Sequence, residues 1–505
     1  MDNNSGRIIE YFNSHKDGFY IDDITCNDVD LDAVFDEVNR TYSSLGDEIL
    51  YHMLRTPSFD REKLNELEGF IEHYSEDSPS RNKTVSILKG ISKLKKISVF
   101  DYLDKIGEVK SIGNIVLYIP FALILIGIIL CFFNSLAGII FLVLAFGINT
   151  VRYFRLLKDV KPYLICFAYI FKAISVSPGI EGITPDETKG LLSLTRGNFI
   201  LGNLSGVSAN GGAGNPFDLL LDLLRMSLHL DIIRFYHLTD RAKNEKERIA
   251  SLLEHIGRID SYISIGEFRK DVAYYSLPVF TDEKHIKCDD LYHPLLKDPV
   301  PNSIDTHRGV LITGSNASGK STFLRSLAIN ILFAQTINTV LARSYEAPLC
   351  SLITSMSLRD DLLKGDSFYM AEIKSVRRIL DPSYRGDSRY VISFVDELLK
   401  GTNTLERIAT SSKILSELGA EDIICFAATH DIELTSILKD RYDNYHFSED
   451  MTEKDDIHFS YKLMEGPSTT TNAIKLLIAL DFPESIIDEA IEMVQRYKTT
   501  GAWQL

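Results

Sequence analysis

The sequence predicts an α/β domain of the P-loop class at the C-terminus, preceded by an α-helical core that a two-helix transmembrane hairpin interrupts. Three observations support this prediction. A glycine-rich loop lies between an apolar run and a helical pattern within residues 309–328, residues 111–151 contain no Asp, Glu, Lys or Arg, and apolar residues recur at three- and four-residue steps from residue 31 onward. The length of 505 residues is more than one hydrophobic core usually holds, which predicts several domains.

Composition and charge describe a folded, acidic protein. Hydrophobic residues make up 45% and charged residues 25% of the chain, and the formal net charge is −16. This charge argues against a broadly basic, DNA-coating surface, although it leaves room for a local basic track. The six cysteines are widely spaced and form no C-x-x-C pair, which predicts reduced thiols in a cytosolic setting. The polar and acidic first thirty residues predict that no signal peptide is present.

The N-terminal part of the chain divides into two predicted segments. Residues 1–50 carry twelve Asp and Glu residues against three Lys and Arg residues, so this stretch is interpreted as a solvated acidic face, with residues 1–30 as a separate acidic segment. Such a segment would be repelled by DNA phosphates. Residues 31–110 follow as the first part of a packed helical core, because Val34, Val38, Tyr42 and Leu45 share one helical face.

Residues 111–151 predict a membrane hairpin. Two apolar arms, 115–133 and 136–151, flank Asn134 and Ser135. A single helix of this length would measure about 61 Å at ~1.5 Å per residue, about twice the ~30 Å hydrocarbon core, so two spans with a tight turn are predicted. Basic residues on both flanks predict a multi-pass protein of the cell membrane, with the N-terminus and the C-terminal domain in the cytoplasm; these residues are Lys105, Lys110, Arg152, Arg155, Lys158 and Lys161. The alternative is a buried helical hairpin within a soluble core.

Residues 152–285 return to a mixed helical pattern and form the second part of the predicted core. They contain a Gly-, Asn- and Ser-rich stretch at 202–216, interpreted as a loop or hinge. The long helical pattern at 217–263 could join two bodies as a lever or be one helix of a bundle. From residue 286 onward, short apolar runs at 310–313, 390–395 and 423–428 alternate with helical patterns, which predicts a mostly parallel sheet.

The glycine-rich loop matches the pattern G-x-x-x-x-G-K-[ST] between a strand and a helix. Its glycines let the backbone wrap an anion, so that N–H groups face a phosphate. Lys320 is expected to reach the β- and γ-phosphates of ATP, and the Ser321 hydroxyl to bind Mg²⁺. The predicted ATP-binding residues of this loop are Gly314, Ser315, Asn316, Ala317, Ser318, Gly319, Lys320, Ser321 and Thr322.

Two further apolar runs end in residues suited to phosphate chemistry. The run 391–395 is followed by Asp396, expected to hold Mg²⁺ with Ser321, and by Glu397, expected to orient or deprotonate the attacking water. The run 423–428 is followed by Thr429 and His430, and the imidazole of His430 is expected to sense the γ-phosphate and hold that water. Glu397 and His430 are therefore the predicted catalytic residues.

Together these motifs resemble the ATPase domain of the MutS family of DNA mismatch repair proteins. Further similar segments are DDLLKGDSFYMAE at 360–372, DELLKGTNT at 396–404, LYHPL at 291–295, VPN at 300–302 and VNRTYSSLGDEIL at 38–50. The resemblance covers residues 286–500 and, less closely, residues 31–95. It implies an ABC-type ATPase domain at 286–465, followed by C-terminal dimerisation helices at 466–505.

The resemblance also implies partners and further site residues. Asn302 joins the ATP-binding residues, and Ser367 reaches the γ-phosphate held by a second subunit, so a homodimer is expected. ATP and Mg²⁺ are the implied cofactors, and the implied function is ATP-driven conformational switching of a dimer on DNA. The chain departs from the family pattern at Ser315, Ser318 and Lys400, which concerns fine tuning rather than ATP binding. Mismatch recognition itself is not expected, because no mismatch-reading domain is found before residue 31.

Three functions stay open at this point. The first is a MutS-type switch acting on DNA near a membrane. The second is a membrane scaffold whose ATPase controls assembly with a protein partner and needs no DNA, which the acidic charge favours. The third is an ABC transporter-like ATPase; it is disfavoured because two membrane spans are few for a transport path and no L-S-G-G-Q segment follows the loop.

Overall fold

The computed structural model describes residues 5–16, 18–95, 97–108, 114–195, 223–224, 226–315, 318–356, 368–386, 388–400, 402–420, 422–451, 457–468 and 482–500. The chain divides into two compact units. The first comprises Met1–Lys16, Asn39–His52 and Ile71–Glu267, and the second comprises Asp17–Val38, Met53–Phe70 and Phe268–Leu505. Each unit therefore combines segments that are distant in sequence.

Up to Asp271, every regular element within the described residues is a helix, which confirms the predicted helical N-terminal region. The α-helices are α1 Ser5–Ser14, α2 Asp23–Asp28, α3 Leu31–Val38, α4 Ser44–Arg55, α5 Arg61–Ser75, α6 Pro79–Ile91, α7 Val99–Asp104, α8 Asn114–Phe133, α9 Ser135–Val176, α10 Pro185–Thr188, α11 Leu191–Thr195, α12 Leu230–Asn244 and α13 Lys246–Asp271. Short 3-10 turns lie at Lys105–Glu108 and Ser177–Gly179.

Within the first unit, α4 and α13 approach each other closely because small residues lie at their contact. A Cβ atom at Gly257 of α13 would lie only 2.8 Å from the carbonyl oxygen of Leu45 on α4, and a Cβ atom at Gly46 would collide with the side chain of Asp260. Leu45 and Ile256 are fully buried beside this contact. A larger residue at either glycine would therefore force the two helices apart.

The first unit also contains a group of charged side chains, which we call the N-terminal charge cluster: Arg7, Asp47, Glu48 and Lys93. Arg7, Asp47 and Glu48 are buried, and Lys93 is exposed. Arg7 bonds Oδ2 of Asp47 at 2.7 Å and Oε1 of Glu48 at 3.0 Å. Lys93 bonds Oδ1 of Asp47 at 2.7 Å, and the Ser98 hydroxyl donates to Oε2 of Glu48 at 3.0 Å. All four carboxylate oxygens therefore have a partner inside the unit.

In the second unit, further acidic residues of the N-terminal stretch have internal partners. Asp22 caps α2 and pairs with Arg378 at 2.5 Å. Asp28 is fully buried and accepts hydrogen bonds from the Thr354 hydroxyl at 2.6 Å and from the N–H of Met356 at 2.8 Å. The expectation of a solvated acidic face is therefore wrong for these residues and for the charge cluster. Their partners lie far away in sequence, which is why composition alone could not reveal them.

Helices α8 and α9 contain the longest apolar stretches. Asn134 lies between them and caps α9 by accepting the N–H of Ala137 at 3.1 Å. By length and composition, three stretches could cross a membrane: Val116–Phe133, Ser135–Lys158 and Val160–Gly179. The third stretch was not predicted. Helix α9 has 42 residues, so the boundary predicted at residue 151 falls inside it, because the basic residues that follow end the apolar pattern without breaking the helix.

A proline inside α8 is accommodated by side chains of α9. Pro120 has no N–H and cannot donate to the carbonyl oxygen of Val116 one turn earlier. The guanidinium of Arg152 donates to this oxygen at 2.8 Å, and the Asn149 amide donates to the carbonyl oxygen of Pro120 at 3.4 Å. The backbone hydrogen bond that proline removes is thus replaced, as apolar surroundings require.

The second unit carries all strands of the described structure. They are β1 Val279–Thr281, β2 Ile286–Leu291, β3 Asn302–Thr306, β4 Gly309–Thr313, β5 Ser344–Pro348, β6 Cys350–Ser355, β7 Tyr390–Asp396, β8 Ile423–Ala428, β9 Tyr442–Met451 and β10 Ile457–Glu465. The later helices are α14 Lys320–Thr336, α15 Phe368–Leu380, α16 Thr404–Leu418, α17 Glu433–Ile437 and α18 Glu484–Thr500, with a 3-10 turn at Pro382–Tyr384. Strands β4, β7 and β8 lie at the three apolar runs that the sequence predicted.

These strands form two sheets. The smaller one has the order β1-β5-β2-β3, and the larger one has the order β10-β9-β4-β8-β7-β6. Neighbouring strands of the larger sheet are parallel, except that β10 runs antiparallel to β9. Since β8 lies between β4 and β7, the carboxyl ends of these three strands lie side by side.

Candidate active site

The predicted site residues follow three strands whose ends are aligned. Ile312 of β4 and Asp396 of β7 both pair with Ala428 of β8. The glycine-rich loop, Glu397 and His430 therefore lie side by side at the carboxyl ends of these strands. In sheets with parallel strands, ligands bind in the crevice at this edge.

The loop after β4 requires glycine at two points. Gly314 has a φ angle of +144° and Gly319 a φ angle of +111°, which L side chains rarely adopt. A Cβ atom at Gly314 would also lie 3.0 Å from the carbonyl oxygen of Phe447. Helix α14 starts directly after Gly319, so its positively polarised end lies at the loop. This is the backbone arrangement that binds anions.

Lys320 is buried within the loop. Only 4% of the residue is exposed, and its ammonium donates to the carbonyl oxygens of Gly314 at 2.8 Å and Ser315 at 2.6 Å. The Ser318 hydroxyl donates to the same oxygen of Ser315 at 2.9 Å. Thr322 follows on the first turn of α14 with an exposed side chain. The ammonium is thus held inside the loop by carbonyl oxygens, which a phosphate oxygen could replace.

Ser321 and Asp396 meet although they are far apart in sequence. The Ser321 hydroxyl donates to Oδ2 of Asp396 at 2.5 Å. Oδ1 of Asp396 is buried and has no hydrogen-bond partner among the residues that the structure describes. A buried carboxylate oxygen without a partner is costly unless something else satisfies it. A hydroxyl and a carboxylate are hard oxygen ligands of the kind Mg²⁺ prefers, so these two residues fit the predicted metal role.

Glu397 begins a strained turn after β7. Its φ angle is +54°, in the left-handed region that non-glycine residues rarely adopt. The Nε2 atom of His430 lies 2.9 Å from Oε1 of Glu397, and the ammonium of Lys400 lies 2.6 Å from Oε2. Both predicted catalytic residues are therefore in direct contact. Strain of this kind at a polar pair is typical of functional sites.

The pKa of His430 lies below its ordinary value of 6.5, which favours the neutral imidazole. Burial lowers the pKa of His430, and the nearby charges of Lys320 and Lys400 lower it further. A neutral imidazole with Nε2 facing Glu397 carries its proton on that nitrogen and donates it to the carboxylate in a hydrogen bond. His430 can thus orient the carboxylate of Glu397 without carrying a charge of its own.

Two contacts that the sequence analysis missed hold the loops around the site. Glu372 on α15 accepts the N–H of Leu399, which has a φ angle of +59°, and burial raises the pKa of Glu372. Arg407 on α16 bonds both carboxylate oxygens of Asp431, the residue after His430, at 2.8 and 2.6 Å. The sequence signal for Glu372 was its place at the end of the similar segment 360–372. For Arg407 there was none.

Asn302 lies near the loop but is engaged by the last strand. Its Nδ2 donates to the carbonyl oxygen of Tyr461 at 3.0 Å, and its Oδ1 accepts the N–H of Leu463 at 2.7 Å. Tyr461 has a φ angle of +52° and is 44% exposed, and a Cβ atom at Gly319 would lie 3.3 Å from Cδ1 of its ring. Tyr461 was not among the predicted site residues. It lies where the register of β9 and β10 shifts, between Phe459 and Leu463.

Of the eleven predicted site residues that the structure describes, nine lie together at the carboxyl ends of β4, β7 and β8. These are Gly314, Ser315, Ser318, Gly319, Lys320, Ser321, Asp396, Glu397 and His430. Asn316, Ala317 and Ser367 lie outside the described residues, and their contacts with ATP stay predictions. The individual roles of the other residues in ATP binding and hydrolysis also stay predictions.

Comparison with known proteins points to one family. Residues 310–498 match the family described as MutS domain V. A protein of Thermus aquaticus named DNA mismatch repair protein MutS is 28% identical over 266 residues, which are 52% of this chain and 32% of that protein. The protein of the same name from Streptococcus suis is 31% identical over 285 residues, again 52% of this chain and 32% of that protein. The chain therefore spans about a third of the length of these relatives.

Proposed function

Since the chain belongs, through its C-terminal domain, to the MutS family, we propose that it is an ATPase which couples the binding and hydrolysis of ATP to conformational switching of a homodimer that acts on DNA. The substrate is ATP with Mg²⁺, and the reaction transfers the γ-phosphoryl group to water. The relatives are named as DNA mismatch repair proteins, which makes DNA the first ligand to test.

The observation that carries the proposal is the contact between Ser321 and Asp396. The hydroxyl of the loop and the carboxylate at the end of β7 meet at 2.5 Å, and the second oxygen of that carboxylate is buried without a partner. Such a pair would hold Mg²⁺ through two oxygens. Held by Ser321 and Asp396, Mg²⁺ would supply positive charge that offsets the negative charge developing on the phosphates.

Lys320 would bind the phosphates by exchanging partners. Its ammonium now donates to two carbonyl oxygens of its own loop, Gly314 and Ser315. Phosphate oxygens carry negative charge, so an ammonium binds them more strongly than it binds neutral carbonyl oxygens. The ammonium would therefore turn to the β- and γ-phosphates while the loop carbonyls return to solvent.

Glu397 would accept the proton of the attacking water, with His430 as its orienting partner. In the described arrangement both oxygens of Glu397 are occupied, one by His430 and one by Lys400. Water can reach the carboxylate only after one of them moves. We assign this movement to Lys400, because its side chain is 57% exposed while the imidazole of His430 is 40% exposed.

The base of ATP would lie against Tyr461. Its ring is partly exposed beside Gly319, and an aromatic face accepts a purine by stacking. Asn302 would then act through Tyr461, whose backbone it holds. Ser367 would complete the site of a second copy, which makes the proposed active unit a homodimer with the C-terminal residues 466–505 at its contact.

Replacing Glu397 tests the proposed reaction. Glu397→Gln should retain ATP binding but lower the hydrolysis rate by about 10²–10⁴-fold, because the water loses its proton acceptor. It should also accumulate dimers in ATP, seen as a shift in size-exclusion chromatography. Glu406→Gln, at an exposed position on α16, serves as the matched control and should hydrolyse ATP normally. Hydrolysis by Glu397→Gln at the wild-type rate would refute the assignment of the base.

A second candidate function, a membrane scaffold that acts on a protein partner without DNA, is favoured by the exposed apolar helices. The stretches Val116–Phe133 and Ser135–Lys158 are each only 17% buried, whereas Val160–Gly179 is 56% buried. We propose that the first two stretches cross the cell membrane and that the third packs within the helical unit. Both ends of this hairpin, and hence the ATPase domain, would lie in the cytoplasm.

Two measurements separate these candidates. Membrane association should survive high salt, and recovery of the full-length protein in the soluble fraction without detergent would exclude the spans. The ATPase rate should then be compared with and without duplex, branched and mismatched DNA. Stimulation with a steep dependence on salt supports the DNA function. ATP-dependent dimerisation without any effect of DNA supports the scaffold.

A further inference from the structure

A cluster of metal-ligating side chains lies on the smaller sheet, outside the nucleotide site. It consists of His285, just before β2, Asp305 in β3, and His307, just after β3. The antiparallel register pairs Ile286 with Thr306. The residues on either side of this pair, His285 and His307, are therefore opposite each other. Side chains alternate along each strand, so both histidines and Asp305 share one face of the sheet.

The side chains of this cluster are already close together. The two imidazole rings are stacked with centroids 4.1 Å apart and an angle of 14° between their planes. Nε2 of His285 lies 2.7 Å from Oδ1 of Asp305. One ligand atom from each of the three residues lies within 4.8 Å of the others. In a tetrahedral zinc site, bonds of ~2.0–2.1 Å place ligand atoms about 3.3 Å apart, so small side-chain rotations would suffice.

The surroundings favour an ion that binds from solvent. The His285 side chain is 15% exposed and is therefore held in place, whereas the Asp305 side chain is 58% exposed and can turn. The ammonium of Lys287 lies 4.0 Å from the other oxygen of Asp305, and its side chain is 44% exposed. Lys287 is thus a mobile counter-charge for Asp305, which an incoming cation would displace.

We propose that His285, Asp305 and His307 form a binding site for a divalent transition metal, with Zn²⁺ as its best-fitting ion. Two imidazole nitrogens and one carboxylate oxygen are a common ligand set for Zn²⁺, with the remaining position left to water. The same set selects against Mg²⁺, which prefers oxygen ligands in an octahedron. The ion that accompanies ATP would therefore not occupy this site.

The proposed metal site is separate from the nucleotide site. His307 lies before β4, and the glycine-rich loop lies after it. The five residues of β4 span about 17 Å at ~3.3 Å per residue. The two sites share no ligand. A metal ion at His285 and His307 would tie the end of β3 to the start of β2, just ahead of the strand that carries the loop.

A zinc titration of the full-length protein tests the proposal. The protein is purified in detergent, stripped with a chelator, and titrated with Zn²⁺ alone in competition with a coloured chelator. Wild type should bind one equivalent of Zn²⁺. His307→Ala and Asp305→Asn should each weaken this binding at least about tenfold, since replacing even a residue that only supports a metal ligand lowers metal affinity about 10–100-fold. Lys287→Gln should bind Zn²⁺ at least as tightly as wild type. His73→Ala, at a histidine paired with Glu181 elsewhere, is the matched control.

The competing outcomes are distinct. Equal Zn²⁺ affinity in wild type and both His285→Gln and His307→Ala would overturn the site, as would binding at millimolar Zn²⁺ only or displacement by excess Mg²⁺. If Asp396→Ala lost the bound Zn²⁺ while His307→Ala kept it, the zinc would belong to the nucleotide site and the proposal would be overturned. Thermal unfolding without metal verifies that the variants fold. Zn²⁺ should then raise the unfolding temperature of wild type but not of His307→Ala.

Discussion

The N-terminal charge cluster and the candidate active site both bury carboxylates, but they satisfy them differently. In the cluster, Asp47 and Glu48 have a partner on every oxygen. Burial alone would raise the pKa of Asp47, yet Lys93 and Arg7 hold it below its ordinary value. In the site, Asp396 keeps one buried oxygen without a partner. We call a charged group closed when each of its carboxylate oxygens has a partner, and such a group stabilises the fold. An open group, in which one buried oxygen lacks a partner, leaves a position for a ligand.

The largest difference between the two regions should appear on replacing their central cations. Lys320→Ala should abolish detectable ATP binding, a loss of more than about 100-fold, because the phosphates lose their charged donor. The unfolding free energy should fall by only about 1–3 kcal/mol, since two neutral carbonyl oxygens, and no buried carboxylate, lose a partner. Equilibrium binding of a fluorescent ATP analogue and thermal unfolding measure the two effects. Lys413→Ala, at an exposed position of α16, should change neither.

The opposite result is expected for the charge cluster. Arg7→Ala should lower the unfolding free energy by about 3–5 kcal/mol, because two buried carboxylates lose their shared partner. Folded Arg7→Ala should still bind ATP. The control is Arg496→Ala, which removes an exposed ion pair with Glu492 and should cost less than about 1 kcal/mol. If Arg7→Ala proved as stable as wild type, the contrast between closed and open groups would fail.

A smaller effect is expected on the pH dependence of the ATPase rate. The pKa of His430 is lowered from its ordinary value of 6.5, so the imidazole stays neutral above that pH and the acid limb of the ATPase profile should lie below it. Lys400→Gln removes one of the charges that lower this pKa, so the limb should move to higher pH, by less than about one unit. The measurement is the ATPase rate between pH 5 and pH 8. A limb that moved to lower pH would contradict the proposed electrostatics.

The site was predictable to the extent that its residues follow apolar strands. Gly314, Asp396 and His430 each stand at the end of such a run, so short-range patterns located them. The order of the strands, with β8 between β4 and β7, depends on tertiary packing that no local pattern records. Tyr461 and Arg407 escaped prediction for the same reason, because their neighbours at the site lie elsewhere in the chain.

The structural class of each region was predicted correctly, but the ends of the helices were not. The helical region up to Asp271 and the mostly parallel sheet were expected, and both are observed. The end of the second apolar arm was not, since helix α9 continues through its basic residues to Val176. Charge marks where a membrane pattern ends, but it does not interrupt backbone hydrogen bonding. Composition can therefore indicate apolar stretches without giving the length of a helix.

The internal partners of the acidic N-terminal stretch change the electric field that another molecule meets. Asp22, paired with Arg378, does not act at a distance as a free negative charge. An ion pair is seen from afar as a dipole, whose potential decays faster than that of a single charge, and salt screens it beyond ~8 Å. Pairing leaves the net charge of −16 unchanged, since each ion pair contributes zero to it, but it weakens the negative field close to the paired residues. The acidity of the sequence is partly an internal counter-charge for its own arginines.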